Sequence, residues 1–197
     1  MQRQQTALFF GSFNPIHIGH LIVANVMMNE VGFDEVWFVV SPQSPFKHSV
    51  DLMSEEHRLA MVRLATADNE RFRVCDVEMR LPRPNYTVTT VEALHDQYPE
   101  RQFAIVMGSD NLEGLTRWYK YEHLLEMCPV YVYPRPGSEH CEMSSHERVT
   151  MIDVPMMEIS STDIRRRIMN GSSVRYMTPD CVADYMQQHR CLQSIGL

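Results

Sequence analysis

Two histidines, His17 and His20, stand three residues apart behind the turn Gly11-Ser12-Phe13-Asn14-Pro15. An apolar run, Ala7 to Phe10, leads into that turn, and a longer one, Leu21 to Met28, leaves it. A strand that passes through a glycine turn into a helix gathers free backbone N–H groups and the positive helix end at one spot, which suits an anion. Gly11 lets backbone approach a ligand closely because no Cβ stands in the way. With a helix beginning near Ile18, both imidazoles project near its first turn, where they can donate to phosphate oxygens and adjust their charge near neutral pH. The plainer alternative is a turn whose histidines only cap the helix. Two histidines supply only two metal ligands, and no Cys pair or His-Glu-x-x-His adds to them, so no protein-held metal is expected.

A second group of donors lies about 140 residues further on, in Ile159-Ser160-Ser161-Thr162-Asp163-Ile164-Arg165-Arg166-Arg167. Hydroxyls ahead of an amphipathic segment, with an arginine one turn in, offer hydroxyl, backbone and guanidinium donors to phosphate. Three consecutive arginines also fit a solvated helix face, which is expected to account for one or two of them. Between the two groups, Lys47 and His48 lie on a proline loop, and Gly108-Ser109-Asp110 follows an apolar run. Asp110 suits a ribose hydroxyl or a metal-bound phosphate, or is an ordinary helix cap. Trp118, Tyr119 and Tyr121 bring three aromatics together, either to stack on a flat heterocycle or to fill the core.

These residues need a scaffold, and the chain alternates apolar runs with amphipathic segments. Runs at 7–10, 35–40, 72–76, 102–107 and 129–133, with a shorter one at 149–153, suit buried strands. Helices are expected over 19–29, from Ser54 to Thr66, over 87–97 with Thr87 or Thr89 as cap, in the amphipathic segment that follows the Ser/Thr cluster and ends at Asn170-Gly171, and over 179–189. On the Ser54 helix the expected stripe is Leu59, Met61, Val62, Leu64 and Ala65, with Arg58 and Arg63 solvated. Strand, helix, strand within the first forty residues is a βαβ unit. Open sheets of this kind bind ligands at the carboxyl ends of their strands, where the motif loops fall. The fold expected is α/β: a Rossmann-like, open, mainly parallel sheet with helices on both faces and a small helical C-terminal part.

The 197 residues suit one domain, 1–197, with about 155–197 as that C-terminal part. A hydrophobic content of 44% with 22% charged residues is ordinary for a globular protein, and the net charge of −7 argues against nucleic acid as partner. No apolar run approaches the ~20 residues of a membrane helix, and the start shows no signal-peptide pattern. Five scattered cysteines without a C-x-x-C suit reduced thiols in a cytoplasmic protein. Nothing in the sequence fixes an oligomeric state.

Gly11 to His20 resembles the G-S-F-N-P-x-H-x-G-H form of the nucleotidylyltransferase signature, and Ile159 to Arg165 resembles the I-S-S-T-x-I-R signature of its adenylyltransferase branch. Pro45-Phe46-Lys47, Pro84-Asn85-Tyr86-Thr87, Gly108-Ser109-Asp110, Trp118-Tyr119-Lys120-Tyr121 and Pro134-Arg135-Pro136-Gly137 extend the likeness to the nicotinate-mononucleotide adenylyltransferase family over essentially the whole chain. The resemblance implies transfer of AMP from ATP to nicotinate mononucleotide in NAD synthesis, with Mg2+ carried mainly by the ATP phosphates. It implies that Gly11, Ser12, Phe13, His17, His20, Gly108, Asp110, Ser160, Ser161, Thr162 and Arg165 bind ATP, with His17, His20 and Arg165 catalytic. It assigns Lys47, Tyr86, Thr87, Trp118 and Tyr119 to the pyridine substrate. Many bacterial relatives carry aspartate where this chain has Asn14, so no carboxylate role transfers there. Pantetheine-phosphate transfer, use of the nicotinamide mononucleotide as well, and a nucleotide-binding regulator without turnover are the competing expectations.

Overall fold

The computed structural model describes residues 3–42, 52–138 and 141–192. Six strands, β1 (Gln4–Gly11), β2 (Glu35–Val40), β3 (Phe72–Cys75), β4 (Arg101–Gly108), β5 (Val130–Tyr133) and β6 (Val149–Met151), form one sheet. Its order is β3-β2-β1-β4-β5-β6 and every pairing is parallel. The expected open parallel sheet is thus present. Its central strands are buried on both faces, which explains their continuous apolar runs.

The two faces are covered by different helices. On one face, Ala7, Phe9, Phe38 and Val106 pack with α1 (Ile18–Val26), α2 (Glu55–Thr66), α6 (Ser161–Met169) and α7 (Asp180–Gln188). On the other, Leu8, Val39, Ile105 and Val132 pack with α3 (Thr87–Gln97) and α5 (Tyr121–Met127). A four-residue turn of helix, α4 (Ser109–Leu112), follows β4 directly. Helix α1 widens over Met27–Val31 and stops at Gly32, whose φ of 95° is left-handed.

Two expectations for helices need correction. Neither Thr87 nor Thr89 caps α3: Tyr86 is the cap residue, and no side chain bonds the first-turn N–H groups. On α2 the buried stripe is Arg58, Met61, Val62, Ala65 and Thr66, while Leu64 is exposed. Arg58 stands three and four residues before Met61 and Val62, so the helical period carries it inward with them. There its guanidinium meets four carbonyls instead of solvent.

Candidate active site

The strand order reverses between β1 and β4, where the chain turns from building one half of the sheet to the other. Outside the carboxyl ends of these strands a cavity of about 500 Å³ opens. Gly11 and Ser12 at the end of β1, Asp110 and Asn111 after β4, and Arg135 after β5 line it. Ser160, Ser161, Thr162 and Arg165 at the start of α6 close the far side, and His17 and His20 stand between.

The two motif segments are bonded to each other. Ser161 Oγ donates to the Pro15 carbonyl at 2.8 Å, and Arg165 Nη1 donates to the Asn14 carbonyl at 2.8 Å. A second Arg165 nitrogen reaches Thr162 Oγ1 at 3.4 Å, and Ser160 caps the helix by accepting from the Asp163 N–H at 3.1 Å. Thr178 Oγ1 donates to the Ile16 carbonyl at 2.8 Å, and the Ile18 N–H donates to Met177 O at 3.0 Å. The C-terminal part is therefore fastened to the first turn, and a helix N-terminus from each end of the chain faces one cavity.

The remaining arginines of the run behave otherwise. Arg167 Nε pairs with Asp163 Oδ2 at 2.7 Å, Arg166 pairs with the other carboxylate oxygen, and both arginines are well exposed. The hydrogen bond from Arg167, with further help from Arg166, holds the Asp163 carboxyl below its ordinary range.

His17 is the cap residue of α1 and His20 occupies the third position of its first turn. The His17 N–H donates to His20 Nδ1 at 3.1 Å, so a neutral His20 carries its proton on Nε2, as a donor. The two rings stack at 3.6 Å. His17 is 5% exposed; burial, aided by the Arg135 charge, lowers its pKa to about 4. Burial therefore keeps the His17 ring uncharged near neutral pH, where the sequence alone leads one to expect an adjustable charge. Its Nδ1 is buried without a hydrogen-bond partner. Arg135 and Arg165 face a single carboxylate, Asp110, among the described lining residues, so the cavity favours anions although the chain is acidic.

Two glycines hold the walls close. A Cβ on Gly11 would stand 2.9 Å from the Phe13 ring, and one on Gly108 would run into Asp110 and come within 2.9 Å of Arg135 Cγ. Phe13, expected to touch nucleotide, turns its ring inward at φ 44° and is 1% exposed. The ring meets Phe9 edge-on at 5.8 Å and His20 at 5.1 Å, so it underlies the cavity as packing.

The residues expected on the pyridine side form a separate group. Tyr86 and Tyr119 lie with ring centroids 4.7 Å apart, Thr87 opens α3, and Trp118 is half-buried against the second core face. None of the four lines the cavity. All stand on segments that follow β3 and β4, at the same edge of the sheet. Lys47 lies outside the described residues.

Several residues were not read as site residues from sequence. Arg135 lines the cavity, and its N–H donates to Ser109 Oγ at 2.8 Å. Asn14 is buried and its Oδ1 accepts from the Met53 N–H at 3.0 Å, which gives the asparagine a part in holding the turn. Arg58 donates to the carbonyls of Ser12 (2.8 Å), Ser41 (2.6 Å), Pro42 (2.7 Å) and Met53 (3.1 Å), tying the ends of β1 and β2 together.

A parallel sheet with two phosphate-type motifs at its switch point defines a class, and the chain belongs to the cytidylyltransferase-like family, whose model matches residues 8–167. It is 46% identical over 170 residues to a protein from Cytophaga hutchinsonii named a probable nicotinate-nucleotide adenylyltransferase, covering 86% of this chain and 88% of that one. A Bacteroides fragilis protein of the same name is 46% identical over 176 residues, covering 89% and 88%. Within the class, the chain belongs to the nicotinate-nucleotide adenylyltransferase family. Its fold is that of the Plasmodium falciparum nicotinic acid mononucleotide adenylyltransferase complexed with NaAD, with TM-score 0.81 at 17% identity over 96% of this chain and 98% of that one.

Proposed function

We propose that this chain transfers the AMP moiety of ATP to nicotinate mononucleotide, releasing pyrophosphate and forming nicotinate adenine dinucleotide in NAD biosynthesis. The observation that carries the reading is the bonding of Ser161 and Arg165 to the Pro15 and Asn14 carbonyls, which brings both phosphate motifs to one cavity. The shared name of the relatives supports the choice of acceptor.

The acceptor phosphate is already an anionic nucleophile near pH 7, so the reaction asks for no general base. Its oxygen attacks the α-phosphorus in line, a new P–O bond forms, and the bond to the bridging oxygen breaks as its electron pair leaves with pyrophosphate. Positioning and charge neutralisation are what the protein supplies. His20 Nε2–H, Arg165 and the N–H groups of the first turn and of α6 would hold the phosphates as charge shifts among their oxygens. Asp110 would take a ribose hydroxyl.

Magnesium enters as part of the nucleotide substrate. It would be held mainly through the ATP phosphates and water. When bound, it shields the charge of the leaving pyrophosphate. The five scattered cysteines, none of them in a disulfide, suit the reducing cytoplasm; no helix among the described residues is long and apolar enough to cross a membrane.

Arg165 and Arg167 separate the phosphate role from a solvated face. Arg165→Lys should raise the KM for ATP by about tenfold or more, since lysine cannot reproduce a fork that spans a carbonyl and a phosphate. Arg167→Lys should stay within about twofold, the scale of an exposed pair. Equal effects in steady-state kinetics would remove Arg165 from the phosphate site.

The acceptor is tested by pyrophosphate release with ATP and each candidate mononucleotide. Choosing the acid requires N–H and hydroxyl donors aimed at two carboxylate oxygens, and the α3 N-terminus at Tyr86–Thr87 supplies uncapped N–H groups. A carboxamide would face those donors with its NH2. The kcat/KM for nicotinate mononucleotide should exceed that for the nicotinamide form by about 10³-fold, the range reached when a buried polar group is left unpaired. Comparable values would make the enzyme dual-specific, and turnover only with phosphopantetheine would replace the acceptor altogether.

A further inference from the structure

Glu78 is the one carboxylate among the described residues that is buried at the carboxyl edge of the sheet without a role in the cavity. It sits in a short turn just after β3 and is 3% exposed. Its Oε1 accepts from Thr90 Oγ1 at 2.8 Å, and the Ser41 side chain also hydrogen-bonds the carboxyl. Among the described residues no arginine or lysine pairs with it; burial raises its pKa, and the two hydroxyls lower it in part. Its own carbonyl accepts from Asn85 Nδ2 at 3.1 Å. One residue therefore grips both sides of Tyr86–Thr87, through Asn85 before them and Thr90 after them.

The grip continues toward the nucleotide side. Ser41 donates its N–H to the Gly11 carbonyl at 2.9 Å, and its own carbonyl accepts from Arg58, which also holds Ser12. A carboxyl in such a place is costly unless its hydrogen bonds are all met, and an apolar side chain of similar volume would pack there more cheaply. What the carboxyl adds is a fixed distance between the α3 N-terminus and the Gly11–Ser12 turn.

We propose that Glu78 is the positioning residue of the acceptor site: through Thr90 and Asn85 it sets the α3 N-terminus against the nucleotide-binding turn. The proposal rests on the reading of Tyr86–Thr87 as the acceptor side, and the wild-type control keeps the two apart. Wild-type turnover of nicotinate mononucleotide tests the function, and only the pattern among variants tests Glu78. Glu78→Met removes both acceptor oxygens at similar volume. It should raise the KM for nicotinate mononucleotide by about tenfold, the scale of a lost bond to a charged group, and leave the KM for ATP within about twofold. Glu78→Gln keeps an oxygen for Thr90 and an NH2 for Ser41, and should restore the acceptor KM to within about threefold. Thr90→Val, read in the same way, should copy Glu78→Met and serves if that variant does not fold. An unchanged acceptor KM, or equal rises for both substrates, in the folded variants would overturn the assignment and leave Glu78 as packing.

Discussion

Replacing His20 with alanine is expected to lower kcat by about 10²-fold or more, the usual loss when one preorganised donor to a transition state is removed. The fold should survive, because His20 is only half-buried and its Nδ1 bonds a backbone N–H at the helix start. The direction follows from the tautomer: Nδ1 accepts from His17, so Nε2 is the donor, and alanine removes it without changing the charge of a neutral ring. The ATP KM should change much less than kcat, since a donor that acts mainly as charge develops contributes little to ground-state binding. His20→Gln, whose amide can still donate, should recover part of the loss. Single-turnover kinetics check the chemical step, and a near-normal kcat for the alanine variant would take His20 out of the mechanism.

The second large effect is expected on stability. Arg58→Ala should cost about 3–5 kcal/mol, the range for breaking a buried charged network by removing one partner. Four carbonyls lose their donor at once, and two of them, Ser12 and Ser41, belong to the walls that hold the cavity and the Glu78 relay. Arg58→Lys keeps a charge but offers one compact ammonium to a planar set of acceptors, and should recover less than half of the loss. Urea unfolding of the three proteins measures this. A change below about 1 kcal/mol, the value of an exposed pair, would mean that the guanidinium is solvated in solution as a helix-surface arginine would be.

Arg58 also shows where the sequence stops being informative. Local signals were strong where structure is local: β2 at 35–40 and α3 at 87–97 fall where the apolar pattern puts them, as does the helix start behind the first turn. The two motifs were legible as donors at helix starts, and the network that presents them was not. Arg58 bonds to carbonyls as far as 46 residues away, and Glu78 meets hydroxyls on two other segments. A sequence displays the side chain but not the carbonyl that awaits it. One signal was available, since Arg58 lies on the helical stripe of Met61, Val62 and Ala65, and an arginine on a buried stripe needs acceptors. Leu64 falls off that stripe, on the exposed side of the helix. His17 is legible from the motif as a residue of the first turn, but its lowered pKa depends on how deeply the stacked pair is buried, which spacing alone does not reveal.

Whether an acceptor phosphate attacks the α-phosphorus of ATP held between the two motifs is decided by following that phosphorus. The protein is incubated with magnesium, nicotinate mononucleotide and ATP carrying label at the α-phosphate, and the products are separated. Label should appear in a dinucleotide, in step with unlabelled pyrophosphate, with no labelled protein after quenching. Label released as AMP or retained in ATP, or pyrophosphate formed without dinucleotide, would contradict it.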